Sequence, residues 1–270
     1  MLTNFTQIIG AYVPSEPGKV AIGVAVDLCK KYESKLTVLN VNKGEYDPTE
    51  VKQGIEDVMA ATDGQYGYVE KKGKPFREIL DLEKAIEANL IVMGTHGSKG
   101  RDPDWIGGNA FKVISGSSCP VLLFPPEYDG RGFKNIVMPL GDSSESRQKV
   151  PLTVSIAEKY GSIVHILIVH QNKDPETAYK LRIYADQAKK YCEDHNVPFL
   201  LKETHNKNMA EACLQYTAEV DADLLTVMSE RESPTSYFMG HYAQELVNKS
   251  KTPVLTIHVK DMHITGNAGY

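Results

Sequence analysis

The chain carries one ordered set of apolar segments twice, and this repeat constrains its fold more than any other feature. Ile8-Ile9 recurs as Ile136-Val137, and the segment ending at Val41 recurs as one ending at Val169, both at an offset of 128 residues. Residues 88–93 return as 222–228, with Met93 matching Met228 at an offset of 135. Cys119-Pro120-Val121-Leu122 returns as Thr252-Pro253-Val254-Leu255 at an offset of 133. A nearly constant offset that drifts by a few residues is the mark of a duplication with small loop insertions. The Pro- and Gly-rich stretch 125–132 reads as the linker. The expected units are 1–126 and 133–261, with 262–270 as a tail that is poorly ordered or an arm to a partner.

Within each copy, short apolar runs alternate with helical periodicities. Residues 90–93 and 121–124 read as strands buried on both faces. Ala178, Leu181, Ala185, Ala188 and Cys192 recur three and four apart and form one apolar helical stripe; Val51, Ile55, Val58 and Met59 are its counterpart in the first copy. Pro48 and Pro175 fall near the openings of these helices, where a missing N–H costs nothing. Strict βα alternation implies α/β architecture, here two tandem doubly wound parallel-sheet domains with right-handed crossovers and helices on both faces.

Composition narrows the class. Net charge is −5 with no long basic run, which argues against a nucleic-acid partner. No apolar stretch approaches the roughly 20 residues of a membrane helix. The first five residues lack a basic leader, so a cytoplasmic protein is expected. Cys29, Cys119, Cys192 and Cys213 form no CxxC pair and are expected reduced and largely buried.

The most specific local signal follows residues 90–93. Gly94-Thr95-His96-Gly97-Ser98-Lys99-Gly100 is followed by Gly107-Gly108-Asn109, which opens a short helix through Val113 and Ile114. Gly94, Gly97 and Gly107 thus make a G-x2-G-x9-G spacing. Glycines let backbone approach an anion, and a helix N-terminus presents unpaired N–H groups with a positive dipole end. Lys99 and Arg101 add charge. Glycines after a strand also serve simply to turn the chain. Neither GxxxxGK[ST] nor GxGxxG is present, so the loop is neither a P-loop nor a dinucleotide fingerprint.

Leu90-Ile91-Val92-Met93-Gly94-Thr95-His96-Gly97, with Gly107 and Cys119-Pro120-Val121-Leu122, closely resembles the universal stress protein family over almost the whole chain, as two copies. The resemblance implies a five-stranded parallel sheet per copy. It also implies ATP or a related adenine nucleotide as the ligand of the first copy, with no metal beyond one accompanying the nucleotide. Gly94, Gly97, Gly107 and Gly108 would line the phosphates, beside Lys99 and Asn109. Val41 would contact the adenine, and Tyr12 and Val13 would flank it. Nucleotide-binding members usually carry Asp where Val13 aligns and Ser or Thr where Gly108 aligns. The second copy has Ser229 and Glu232 in place of the first two glycines and retains only Gly240, so no nucleotide is expected there. In the family the last strands pair across a two-fold dimer. A tandem chain can satisfy this internally as a pseudo-dimer, leaving a homodimer allowed but not required.

No catalytic pattern stands out. The eight histidines form no HExxH, there is no GxSxG elbow, and Glu230 and Glu232 read as solvent-facing. His165 reads as a core or surface-facing histidine, His96 as loop packing, and Tyr237 and Phe238 as candidates to fill the second copy's empty nucleotide space. Three functions compete: a non-enzymatic nucleotide-responsive regulator with an unknown protein partner in a stress response, a nucleotide-free interaction scaffold, and, at most, a slow ATP hydrolase.

Overall fold

The computed structural model describes residues 4–42, 44, 46–60, 66–95, 108–229 and 240–258. In chain order the first half runs β1 (Gln7–Tyr12), α1 (Glu16–Tyr32), β2 (Lys35–Val41), α2 (Pro48–Met59), β3 (Tyr66–Lys71), α3 (Pro75–Ala85), β4 (Leu90–Gly94), α4 (Gly108–Gly116) and β5 (Val121–Phe124). The second half repeats it as β6 (Asn135–Leu140), a 3-10 turn (Ser144–Lys149), α5 (Val150–Tyr160), β7 (Ile163–His170), α6 (Pro175–Asp194), β8 (Phe199–His205), α7 (Met209–Glu219), β9 (Leu224–Ser229), α8 (His241–Lys249) and β10 (Val254–His258). The tail 262–270 lies outside the described residues.

Local chemistry sets the helix starts. Asp47 caps α2 by accepting from the Thr49 amide at 2.7 Å, and Asp174 caps α6 through the Thr177 amide at 2.8 Å. Pro48 and Pro175 occupy the first turns, where their fixed φ suits the helix. Ser15 caps α1 through the Gly18 amide at 3.1 Å. Gly18 has to be glycine: a Cβ there would meet the Val13 carbonyl oxygen at 2.2 Å.

Ten strands form a single sheet in the order β3-β2-β1-β4-β5-β10-β9-β6-β7-β8. Every pairing is parallel except the central one, where β5 runs antiparallel to β10 with Leu122 opposite Leu255. The last strand of each half is thus covered by the other, and Thr256 Oγ1 donates to the Val121 carbonyl across the seam at 3.2 Å. The central strands are buried on both faces, as in β4, where Leu90, Ile91 and Val92 are all 0% exposed. That explains why they read as continuous apolar runs rather than as alternations.

Two cores flank the sheet. One lies under α1, α2, α5 and α6 and is continuous across both halves. Within it the Tyr32 and Ser155 hydroxyls meet at 3.1 Å, and Phe133 packs on Tyr160. The other core lies under α3, α4, α7 and α8. His165 is buried; its Nδ1 meets the Tyr216 hydroxyl at 3.0 Å and its Nε2 meets Asn135 Oδ1 at 3.3 Å, so it is a satisfied core residue.

The two halves also reuse one polar device. Asn89 Oδ1 accepts from the Thr6 and Gln7 amides at 3.0 and 3.2 Å, fastening the start of β1. At the matching place Asp223 accepts from the Lys134 and Asn135 amides at 2.8 and 2.9 Å, fastening β6. Asp223 also pairs with Arg131 at 2.6 Å, which ties the linker to the second half.

All four cysteines are free thiols. Burial pushes Cys29, Cys119 and Cys213 up to about 12 and Cys192 up to about 11. Because only the thiolate is the nucleophile, the buried Cys119, Cys192 and Cys213 should not react with a disulfide reagent at pH 8 while the protein is folded, and the half-buried Cys29 should react slowly. All four should react on adding denaturant. A fast-reacting thiol in the native protein would contradict the burial described.

Candidate functional site: a cleft at the sheet's switch point

In the order β3-β2-β1-β4-β5 the chain reverses direction between β1 and β4. Helices after β1 and β2 cover one face, and helices after β3 and β4 cover the other. The strand ends therefore part at this point, and open α/β sheets bind ligands in that crevice. A cleft of about 110 Å³ lies there. Its walls are Val13 beyond β1, Leu39 and Val41 of β2, Ile79 of α3 and Met93 of β4. Its polar rim is Gly94, Thr95 and Asn109, at the end of β4 and the opening of α4.

Hydrogen bonds hold the strand ends in place. Asn40 Nδ2 donates to the Tyr12 carbonyl at 3.0 Å, joining β2 to β1. The Thr95 amide and hydroxyl both reach the Phe124 carbonyl, at 2.9 and 3.2 Å, joining β4 to β5. Asn42 accepts from the Gly44 amide at 2.8 Å and donates to the Tyr46 carbonyl at 2.9 Å, turning the chain after β2.

Of the residues singled out in the sequence, Tyr12, Val13, Val41, Gly94 and Asn109 all line this cleft. Tyr12 does so near its backbone only. Its ring belongs to the core on the α1/α2 side, and its hydroxyl lies against Gly54 of α2, where a Cβ would sit 2.1 Å away. Strand alternation is the cause, because successive side chains of β1 point to opposite faces. Gly108 opens α4 with free space around it, and a Cβ there would meet nothing within 4 Å. Gly97, Lys99 and Gly107, like His96 and Arg101, lie outside the described residues.

Leu39, Pro75, Ile79 and Ala110 also line the cleft and were not singled out in the sequence. The only signal that could have found Pro75 was its place at a helix start, since the residue types here are ordinary core types.

The second half carries different side chains at the equivalent positions. α7 and α8 correspond to α3 and α4, and Cys213 and Tyr242 stand where Ile79 and Asn109 stand in the first half. Cys213 Sγ and the Tyr242 hydroxyl meet at 3.3 Å, joining α7 to α8. The 3-10 turn after β6 packs inward: Ser146 Oγ accepts from the Gly141 amide at 2.8 Å, and the buried Lys149 ammonium donates to the Ser146 carbonyl at 3.0 Å. At the position of Gly94, the Ser229 hydroxyl bonds His258 Nδ1 at 2.7 Å. Glu230, Glu232, Tyr237 and Phe238 lie outside the described residues.

Among the described residues no group of three or more His, Cys, Asp or Glu could hold a metal ion. No described helix is long and apolar enough to cross a membrane.

Comparison with known proteins agrees with this architecture. A universal stress protein of Methanocaldococcus jannaschii is 40% identical over 52 residues, covering 19% of this chain and 31% of that protein. Universal stress protein YxiE of Bacillus subtilis is 27% identical over 145 residues, covering 44% of this chain and 98% of its own length. Among solved structures, a universal stress protein from Archaeoglobus fulgidus superposes with a TM-score of 0.74 at 16% identity, covering 94% of this chain and 98% of that one. Another from the same organism, solved in complex with dAMP, matches 46% of this chain and 98% of its own at 14% identity and a TM-score of 0.39. The model of the universal stress protein family matches twice, over residues 4–125 and 132–258. The chain therefore belongs to the universal stress protein family, as a tandem of two family units.

Proposed function

We propose that this protein is a non-enzymatic regulator that binds ATP or a related adenine nucleotide in its first half only. The observation that carries this reading is the switch-point cleft. Its inner walls, Val13, Leu39, Val41, Ile79 and Met93, make an apolar slot suited to a flat base, and its rim turns polar towards the opening of α4. There the unpaired amides and the positive helix end favour a phosphate. Gly108 leaves the approach unobstructed. In the second half the different side chains at the equivalent positions support the absence of a ligand. Units near 1–126 and 133–261 act in this reading as a sensing half and a supporting half, and nucleotide occupancy alters how a protein partner is met.

A second reading, a nucleotide-free scaffold, draws on Val13, an apolar residue where the family's binders usually carry Asp. Mass spectrometry of small molecules released from purified protein separates the two, followed by titration calorimetry with ATP. The expected result is one ATP site per chain. Val13→Asp should tighten it about tenfold by supplying a charged hydrogen-bond acceptor. No heat with ATP in either protein would refute the nucleotide reading and leave the scaffold.

A further inference from the structure

A second opening lies on the other face of the sheet. This groove of about 290 Å³ runs between the first turn of α1 and the outer face of α2. Glu16, Glu50 and Asp57 line it, with Lys19, Gln53 and Gly54. Glu50 and Asp57 stand seven residues apart, two helical turns along one face of α2. Glu16 holds Lys19 at 3.1 Å, and Asp57 accepts from Gln53 at 2.8 Å. Glu50 has no ion pair among the described residues.

The floor of the groove is Tyr12, which is 2% exposed. Its hydroxyl lies against Gly54 and has no hydrogen-bond partner. A buried hydroxyl without a partner is costly, and its neighbours usually explain it. Burial, together with the nearby Asp57, Glu50 and Glu16 carboxylates, raises the Tyr12 hydroxyl to about 12, so it remains a neutral O–H in a negative field.

From this geometry we infer that the groove is a binding site for a linear organic polyamine, distinct from the nucleotide cleft. Ammonium groups of the ligand pair with Glu50 and Asp57, and an amine near the floor gives the Tyr12 hydroxyl its missing partner. The three carboxylates line one groove, yet no three acidic, histidine or cysteine side chains among the described residues converge closely enough for one metal ion. Charges spread along a channel match a chain of separated ammoniums better than a point charge. The groove and the cleft lie back to back, sharing Tyr12 through its ring on one side and its backbone on the other.

The test is titration calorimetry of spermidine into the full chain at low ionic strength. The expected result is saturable binding at one site per chain, which an equal ionic strength of magnesium chloride does not displace. Glu50→Gln with Asp57→Asn should weaken it by roughly tenfold or more. Both side chains are exposed, so the fold is kept. Tyr12→Phe should weaken binding several-fold while melting no lower than wild type, because it removes a buried group that lacks a partner. Absence of saturation, unchanged affinity in either variant, or displacement by magnesium would each overturn the assignment. ATP binding serves as an independent control in the Glu50→Gln, Asp57→Asn variant, whose side chains do not line the cleft, so failure at the groove and failure at the cleft are told apart.

Discussion

Replacing Glu83 with alanine is expected to cost about 2–5 kcal/mol, the cost of leaving buried donors without their acceptor. Glu83 is 2% exposed on α3, yet its Oε1 accepts four hydrogen bonds. They come from the Ser117 hydroxyl at 3.2 Å, the Ser118 amide and hydroxyl at 2.7 Å each, and the Cys119 amide at 3.1 Å. One carboxylate thus fastens the end of α3 to the turn between α4 and β5. Alanine would leave the Ser118 amide and hydroxyl short of an acceptor, at about 1–3 kcal/mol each if neither relaxes; the Ser117 hydroxyl would keep the Cys119 carbonyl at 2.8 Å and the Cys119 amide would keep the Ser117 hydroxyl at 3.1 Å. A melting-temperature drop of about 10 °C should follow for a chain of this size. Glu83→Gln, which keeps an oxygen acceptor, should lose less than half as much. The second half lacks this hub: its equivalent position is Thr217, whose hydroxyl bonds only the Leu214 carbonyl, at 2.8 Å. Thr217→Ala should therefore move the melt by no more than a few degrees. A Glu83→Ala protein that melts with the wild type would show that the turn holds itself, through the Ser117 hydroxyl alone.

Gly108→Glu is the second large effect, and it falls on binding rather than stability. The residue opens α4, and its added side chain enters empty space. Removing a glycine and placing a carboxylate at a helix N-terminus should stabilise α4 by about 0.3–1 kcal/mol. The same carboxylate would repel phosphates seated at that helix end. Two unit charges 4 Å apart near a protein surface interact by about 4 kcal/mol before salt screening. ATP affinity should fall by between about tenfold and about a hundredfold, while adenosine, which carries no phosphate, should bind as before. Calorimetry with both ligands reads this directly. Equal loss for ATP and adenosine would place the damage in the base slot instead. No loss for ATP would remove the phosphates from the α4 end altogether.

How far the sequence reaches can be judged from particular residues. The duplicated order of segments placed β1, β2, β4 and β5 and their four second-half counterparts, because strands buried on both faces must be uniformly apolar and such runs are visible as they stand; the edge strands β3 and β8, largely exposed and mixed in composition, left no such run. Pro48 and Pro175 marked helix starts because a proline's fixed φ and missing N–H suit only the first turn, while their capping partners Asp47 and Asp174 emerged with the structure. Val13, Val41, Gly94 and Asn109 came to the cleft because they sit at strand ends or at a helix opening. Tyr12 shows the limit: its position was legible, but its ring turned to the opposite face. Ile79 and Ala110 were invisible as site residues, because a core residue becomes a wall only when a neighbouring strand is missing beside it. Glu83 looked like any surface charge on a helix, since nothing local says that a turn more than thirty residues later will close over it.

The sequence by itself determined the tandem α/β plan, the buried central strands, and the loss of the second half's glycine loop, because these depend on periodicity and residue type along a short stretch. The family resemblance let the last strands pair within the chain, and β5 does pair with β10; only the tertiary structure decided that Cys213 meets Tyr242 between α7 and α8 and that the Tyr12 ring faces an acidic groove instead of the cleft. Those outcomes depend on which distant segments meet and on which face each side chain takes, and contacts between residues far apart in the chain leave no local pattern to read.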